Sequence, residues 1–75
     1  MTKTEMNFRK FKAAIALNGL TQTEVIQLSK INQSRFYRVL RGEDEFDRGE
    51  IVTLSEVLNL SDQDIIDIFF AEKVS

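Results

Sequence analysis

The chain has 75 residues, with six phenylalanines, three glycines and no proline, cysteine, histidine or tryptophan. A chain this short makes one domain that buries only about 60% of its extended surface. Lacking cysteine and histidine, it has no disulfide framework, no thiolate metal site and no imidazole base, which leaves zinc modules and the commonest acid–base enzymes without their chemistry. The net charge of −2 hides a division: residues 1–42 hold eight basic and two acidic side chains, residues 43–75 two basic and ten acidic. Attraction to a polyanion depends on the face presented rather than the total, so the two halves are read separately.

The opening MTKTEMNFRK has no apolar stretch after its lysine and does not read as a secretory signal. The longest apolar run, Ile65 to Ala71, is broken by Asp67 and is far below the roughly 20 residues of a membrane-spanning helix. The expectation is a complete cytoplasmic chain with no membrane contact, one domain over residues 1–75 with its core at about 7–71 and short flexible termini.

Five helices are expected, because proline is absent and asparagine and glycine mark the breaks. In the first, about Asn7 to Asn18, Phe8, Phe11 and Ile15 with flanking Ala14 and Leu17 form an apolar stripe that Asn18-Gly19 ends. Thr21 followed by Glu24 is a capping box, so the second helix starts at Gln22 and runs about eight residues, with Val25 and Leu28 inward and Ile26 beside them. Lys30-Ile31 turns the chain. Asn32 caps a third helix that Gly42 ends, with Phe36, Val39 and Leu40 inward and Gln33, Ser34, Arg35, Tyr37, Arg38 and Arg41 outward. Glu43-Asp44-Glu45 is a solvated loop and Phe46 an apolar plug. Asp47 with Glu50 caps a fourth helix carrying Ile51, Leu54, Val57 and Leu58, which Asn59 ends. Ser61 with Asp64 caps a fifth that carries Ile65, Ile66, Ile68, Phe69 and Phe70. The last is apolar over more than one face, which suggests a dimer surface of Ile66, Phe69 and Phe70.

The segment Thr21 to Gly42, TQTEVIQLSKINQSRFYRVLRG, thus reads as two short helices around a tight turn, the second basic: Lys30, Arg35, Arg38 and Arg41 stand there with no acid between them. It resembles the helix-turn-helix of the phage repressor and Cro family, also called Xre-like, in its Thr21-Gln22 opening, Glu24, Val25, Ile31, Asn32, Gln33-Ser34, Val39 and closing Arg41-Gly42. The tail EIVTLSEVLNLSDQDIIDIFFAEKV also looks like small phage-encoded Cro-like proteins, with their Phe-Phe pair and Lys-Val ending. The resemblance implies an all-α, five-helix lambda-repressor-like DNA-binding domain from a phage or prophage. By the same resemblance Gln22 would bond a phosphate and brace Gln33, which reads a base edge. Ser34 with Tyr37 or Arg38 would face the major groove. Arg41 and the basic start of helix one, Arg9 and Lys10, would face the backbone. Three departures stand out. Ile26 replaces a usually small residue between helices two and three, Lys30 replaces the usual turn glycine, and the loop after the third helix is acidic.

Side-chain chemistry gives an independent reason for the same assignment. Glutamine pairs bidentately with adenine and arginine with guanine, each pairing contributing about 1–3 kcal/mol of discrimination. The expected base readers are Gln33, Ser34, Arg35 and Arg38, and the expected phosphate contacts Gln22, Lys30, Tyr37, Arg41, Arg9 and Lys10. The expected partner is a double-stranded DNA operator bound by a homodimer that acts as a repressor. The ten acids after position 42 suggest another function, an antirepressor that docks on a phage repressor protein and blocks its DNA face. No catalytic site, cofactor or metal is expected. Asp62, Asp64 and Asp67 have no nucleophile or glycine loop beside them and lack the spacing of a calcium loop.

Overall fold

The computed structural model describes residues 3–73. Its elements run β1 (Lys3–Glu5), α1 (Phe8–Leu17), α2 (Gln22–Ser29), α3 (Gln33–Leu40), α4 (Arg48–Val57), α5 (Asp62–Phe69) and β2 (Ala71–Lys73). All five expected helices form. Among the described residues no helix is long and apolar enough to cross a membrane.

Each helix starts where a short polar side chain satisfies a free backbone N–H. Asn7 and Asn32 accept from the amides of Lys10 and Arg35. Thr21–Glu24, Asp47–Glu50 and Ser61–Asp64 form reciprocal capping boxes. Three helices end in the same paired device, in which a left-handed residue turns the chain and two amides reach back to the last-turn carbonyls. Gly19 (φ 68°) and Leu20 donate to Ala16 and Ile15 after α1. Gly42 (φ 80°) and Glu43 donate to Val39 and Arg38 after α3, and Asn59 (φ 53°) and Leu60 to Glu56 and Ser55 after α4. The Asn18 side chain then joins two of these ends, donating to the carbonyls of Ala14 and Leu58 while accepting from Asn59.

The core is built round four phenylalanines from different parts of the chain. Phe11 of α1, Phe36 of α3, Phe46 of the α3–α4 loop and Phe69 of α5 stack with ring centroids 5.7–6.3 Å apart. Ile15, Val25, Ile31, Val39, Leu54, Leu58 and Ile68 close round them. Phe46 is therefore the plug expected of it. Burying rings of this size is the largest favourable term a small domain has, and it seats α3 through Phe36 and Val39.

Several expectations are corrected. Leu28 is 56% exposed, and Ser29 is the buried residue one turn after Val25. The Ser29 hydroxyl meets its own needs, donating to the Ile26 carbonyl and accepting from the Ile31 amide. Leu17 lies in solvent. Phe69 is 7% exposed and belongs to the core, so it is removed from the expected dimer surface, because a ring packed against Phe11 and Phe46 cannot also face a partner. The chain ends are more ordered than expected: β1 and β2 pair antiparallel in the register Lys3↔Lys73, Thr4↔Glu72, Glu5↔Ala71. Of the expected flexible termini, residues 1–2 and 74–75 lie outside the described residues.

Candidate nucleic-acid interface

The turn between α2 and α3 is tight because Lys30 takes the left-handed conformation, φ 61° and ψ 21°, and donates its amide to Ile26. Ile31 then drops into the core and Asn32 opens α3. Lysine thus does by strain what a glycine would do freely; the left-handed region costs an L-residue roughly 1–2 kcal/mol. Ile26, the other departure, is half-buried and packs against the core.

On α3 the 3.6-residue period separates two faces. Phe36 and Val39 are buried and Leu40 half-buried, whereas Gln33, Ser34, Arg38 and Arg41 are exposed. Ser34, Arg38 and Arg41 follow one another at four- and three-residue steps and share the outer face, with Gln33 at its N-terminal edge. Tyr37 is half-buried, its ring set edge-on to Phe36 at 6.1 Å, so it borders that face from the core side. Asn32 and Lys30 are exposed just before the helix, and Gln22 is half-buried at the first position of α2.

Arg35 departs from the expected role. Its Nε and Nη2 donate to the two Glu50 carboxylate oxygens at 2.8 and 2.9 Å, its Nη1 to Asp44 at 2.9 Å and its Nη2 to the Glu45 carbonyl at 2.7 Å. The guanidinium is turned toward the start of α4, away from the outer face. Base reading by Arg35 is therefore corrected to a structural role: its fork is filled by groups of its own chain. The Glu50 hydrogen bond, the leading cause, raises the Arg35 pKa, and the same bond holds Glu50 below its ordinary carboxylate value. A signal was present in the sequence. Arg35 stands four residues before buried Val39 and so lies on the inner flank, with acids supplied at 44 and 50.

The remaining cations are less committed. Arg41 pairs with Glu43 at 2.7 Å on open surface, an arrangement that contributes little and exchanges readily. That hydrogen bond raises the Arg41 pKa and lowers the Glu43 pKa. Lys10 is drawn to Asp67 of α5 at 3.1 Å, while Arg9 is exposed. Asp67, bonded by Gln63 and then Lys10, is held below its usual range. Among the described residues Arg38 makes no ion pair.

Beyond the C-terminal end of α3 lies an open apolar groove of about 560 Å³, bordered by Met6, Phe8, Leu40, Phe46, Ile51 and Phe70. Of the residues expected at a dimer surface, Ile66 and Phe70 are each 52% exposed.

Comparison with protein-family models, with curated proteins and with solved structures finds no match for this chain.

Proposed function

We propose that this protein is a sequence-specific DNA-binding regulator of the phage repressor and Cro kind, using α3 as its recognition helix. The observation that supports this reading is the outer face of α3. Gln33, Ser34 and Arg38 stand exposed on a short helix whose opposite side is anchored in the phenylalanine core, and Lys30 and Arg41 flank them at its two ends. Side chains that read base edges must be exposed and must also be held by a rigid element, and this face meets both requirements. In this reading Gln33, Ser34 and Arg38 read bases, Lys30, Arg41, Gln22 and Tyr37 hold phosphates, and Arg9 and Lys10 extend the basic surface.

A monomer with so few phosphate contacts binds weakly, so the reading includes a homodimer that sets two α3 helices about 34 Å apart in successive major grooves. Exposed Ile66 and Phe70 supply apolar surface for it. The antirepressor alternative is less well supported. It needs free carboxylates, yet Asp44 and Glu50, beside α3, are both held by Arg35 of the same chain.

Repeated selection from random duplex DNA tests the proposal. Enrichment of a partly palindromic sequence whose halves are about one helical turn apart is expected. A pool that stays random through successive rounds contradicts sequence reading.

A further inference from the structure

Three arginines project from or end α3, and the chain treats them differently. Arg38 is free of ion pairs among the described residues, and Arg41 holds one exposed carboxylate. Arg35 makes four hydrogen bonds to three residues, with its side chain 27% exposed and that of Glu50 17% exposed. Glu50 is itself fixed, since its Oε1 also accepts the Asp47 amide in the capping box that starts α4. Asp44 is fixed as well, its Oδ1 accepting the Glu45 amide while Oδ2 takes Arg35. The acceptors are therefore also held by bonds that do not involve the arginine.

We infer that Glu50, Asp44 and the Glu45 carbonyl form a specificity-determining clamp that withdraws Arg35 from the DNA face, leaving beside Gln33 and Ser34 the guanidinium of Arg38, which makes no ion pair among the described residues. The inference rests on the DNA-binding reading of α3. Phosphate contacts strengthen binding to every sequence alike, each adding about 0.9 to the slope of log affinity against log salt. Base-edge contacts alone separate one sequence from another. A free arginine next to Ser34 would add a phosphate contact on operator and non-operator DNA equally, and the useful quantity is the ratio of the two affinities. Holding Arg35 on the inner flank removes that indiscriminate contact from the middle of the reading surface. The same bonds fix α3 against the start of α4, so the clamp also sets the orientation from which the outer face reads.

The test is the double variant Asp44→Asn/Glu50→Gln, which keeps both acceptor oxygens for the Glu45 and Asp47 amides, and with them the α4 cap, while removing the charges that hold Arg35. Glu56→Gln/Asp62→Asn, on exposed positions of α4 and α5, gives the same change in net charge without touching the clamp. Salt elution from immobilised heparin and anisotropy on selected and scrambled duplexes are then compared. The clamp variant is expected to leave heparin at higher salt than the charge-matched control. It is also expected to bind scrambled duplex several-fold tighter, with a salt slope steeper by about one, and to discriminate less between the two DNAs. Co-elution of the two variants overturns the inference. Arg35→Ala/Asp44→Asn/Glu50→Gln provides the second arm, removing the arginine together with the two charges that its loss would uncover. This triple variant is expected to lose the tighter scrambled-duplex binding and the added salt slope of the clamp variant. A triple variant that binds as the clamp variant does would show that lost repulsion, not a released Arg35, raised the affinity, which overturns the inference. If the wild-type protein shows no preference for any duplex, the DNA-binding reading fails by itself, while the heparin comparison still decides whether the clamp sequesters Arg35.

Discussion

Arg35 on α3 and Glu50 on α4 share two hydrogen bonds, at 2.8 and 2.9 Å, through a carboxylate that also accepts the amide of Asp47, the residue that caps α4, at 2.9 Å. One side chain thereby starts a helix and fixes the flank of its neighbour. The α3–α4 loop, whose run of acids would otherwise repel phosphate, is partly neutralised by the arginines of the helix it follows.

This relationship gives stability a defined pH dependence. Glu50 lies below its ordinary value of 4.5, first because of the Arg35 hydrogen bond. A depressed folded-state pKa stabilises the native protein above the unfolded pKa, and that contribution disappears as pH falls through the folded value. Glu43 and Asp67 are lowered too, but they are present in both wild type and Glu50→Gln and cancel in the difference. Urea midpoints should be higher for wild type than for Glu50→Gln near neutrality, with the gap closing as the pH falls below the ordinary carboxylate value of 4.5. A gap that persists into acid would show that packing, not charge, sets the Glu50 contribution.

Lys30 pays a backbone strain that a glycine would not. Its φ of 61° predicts that Lys30→Gly stabilises the fold by about 0.5–1 kcal/mol, the strain relieved being partly offset by the greater freedom of glycine in the unfolded chain. Thermal unfolding followed by circular dichroism measures this. If Lys30 also touches phosphate, the same variant should lose about one from the salt slope of DNA binding, so stability and affinity move in opposite directions. A destabilised Lys30→Gly would mean that the lysine side chain contributes packing that outweighs the strain.

Ile66 and Phe70 are exposed apolar positions on and just after α5, so Ile66→Ser/Phe70→Ser should cost little stability, within about 0.5 kcal/mol for each change. Sedimentation equilibrium should show a dimeric wild type and a monomeric variant whose helical signal is retained. Phe69→Ser provides the contrast: it opens the aromatic core and should unfold the protein. Equal masses for wild type and the double variant would remove this face from the assembly.

The helix boundaries were legible in the sequence because capping is local. Thr21 with Glu24, Asp47 with Glu50 and Ser61 with Asp64 each need only three residues of chain, and Gly19, Gly42 and Asn59 mark left-handed stops within one turn. The outer face of α3 was legible for the same reason, since helical period alone sets Ser34 and Arg38 opposite Phe36. What depended on tertiary partners was harder to read. Leu28 looked inward by hydropathy, yet α2 packs against α4 with Ser29 buried at the end of its inner face. Phe69 and Phe70 are chemically identical neighbours, and only the placement of Phe11 and Phe46 decides which is core. Arg35 differed from Arg38 only in standing one turn before Val39, and the partners that fix its role lie 9 and 15 residues away. The pairing of β1 with β2 joins the two ends of the chain, a contact that no local pattern announces.

The most direct test of the central claim, that the outer face of α3 reads DNA, is fluorescence anisotropy of the purified protein on duplex from its own promoter region and on scrambled duplex. Both titrations are run across a salt series, with Arg38→Ala alongside. Tight binding to the promoter duplex is predicted, weakening steeply with salt, with discrimination between the two DNAs reduced in Arg38→Ala by the equivalent of about 1–3 kcal/mol. Equal, feeble binding of wild type to both duplexes, or full discrimination in Arg38→Ala, would contradict it.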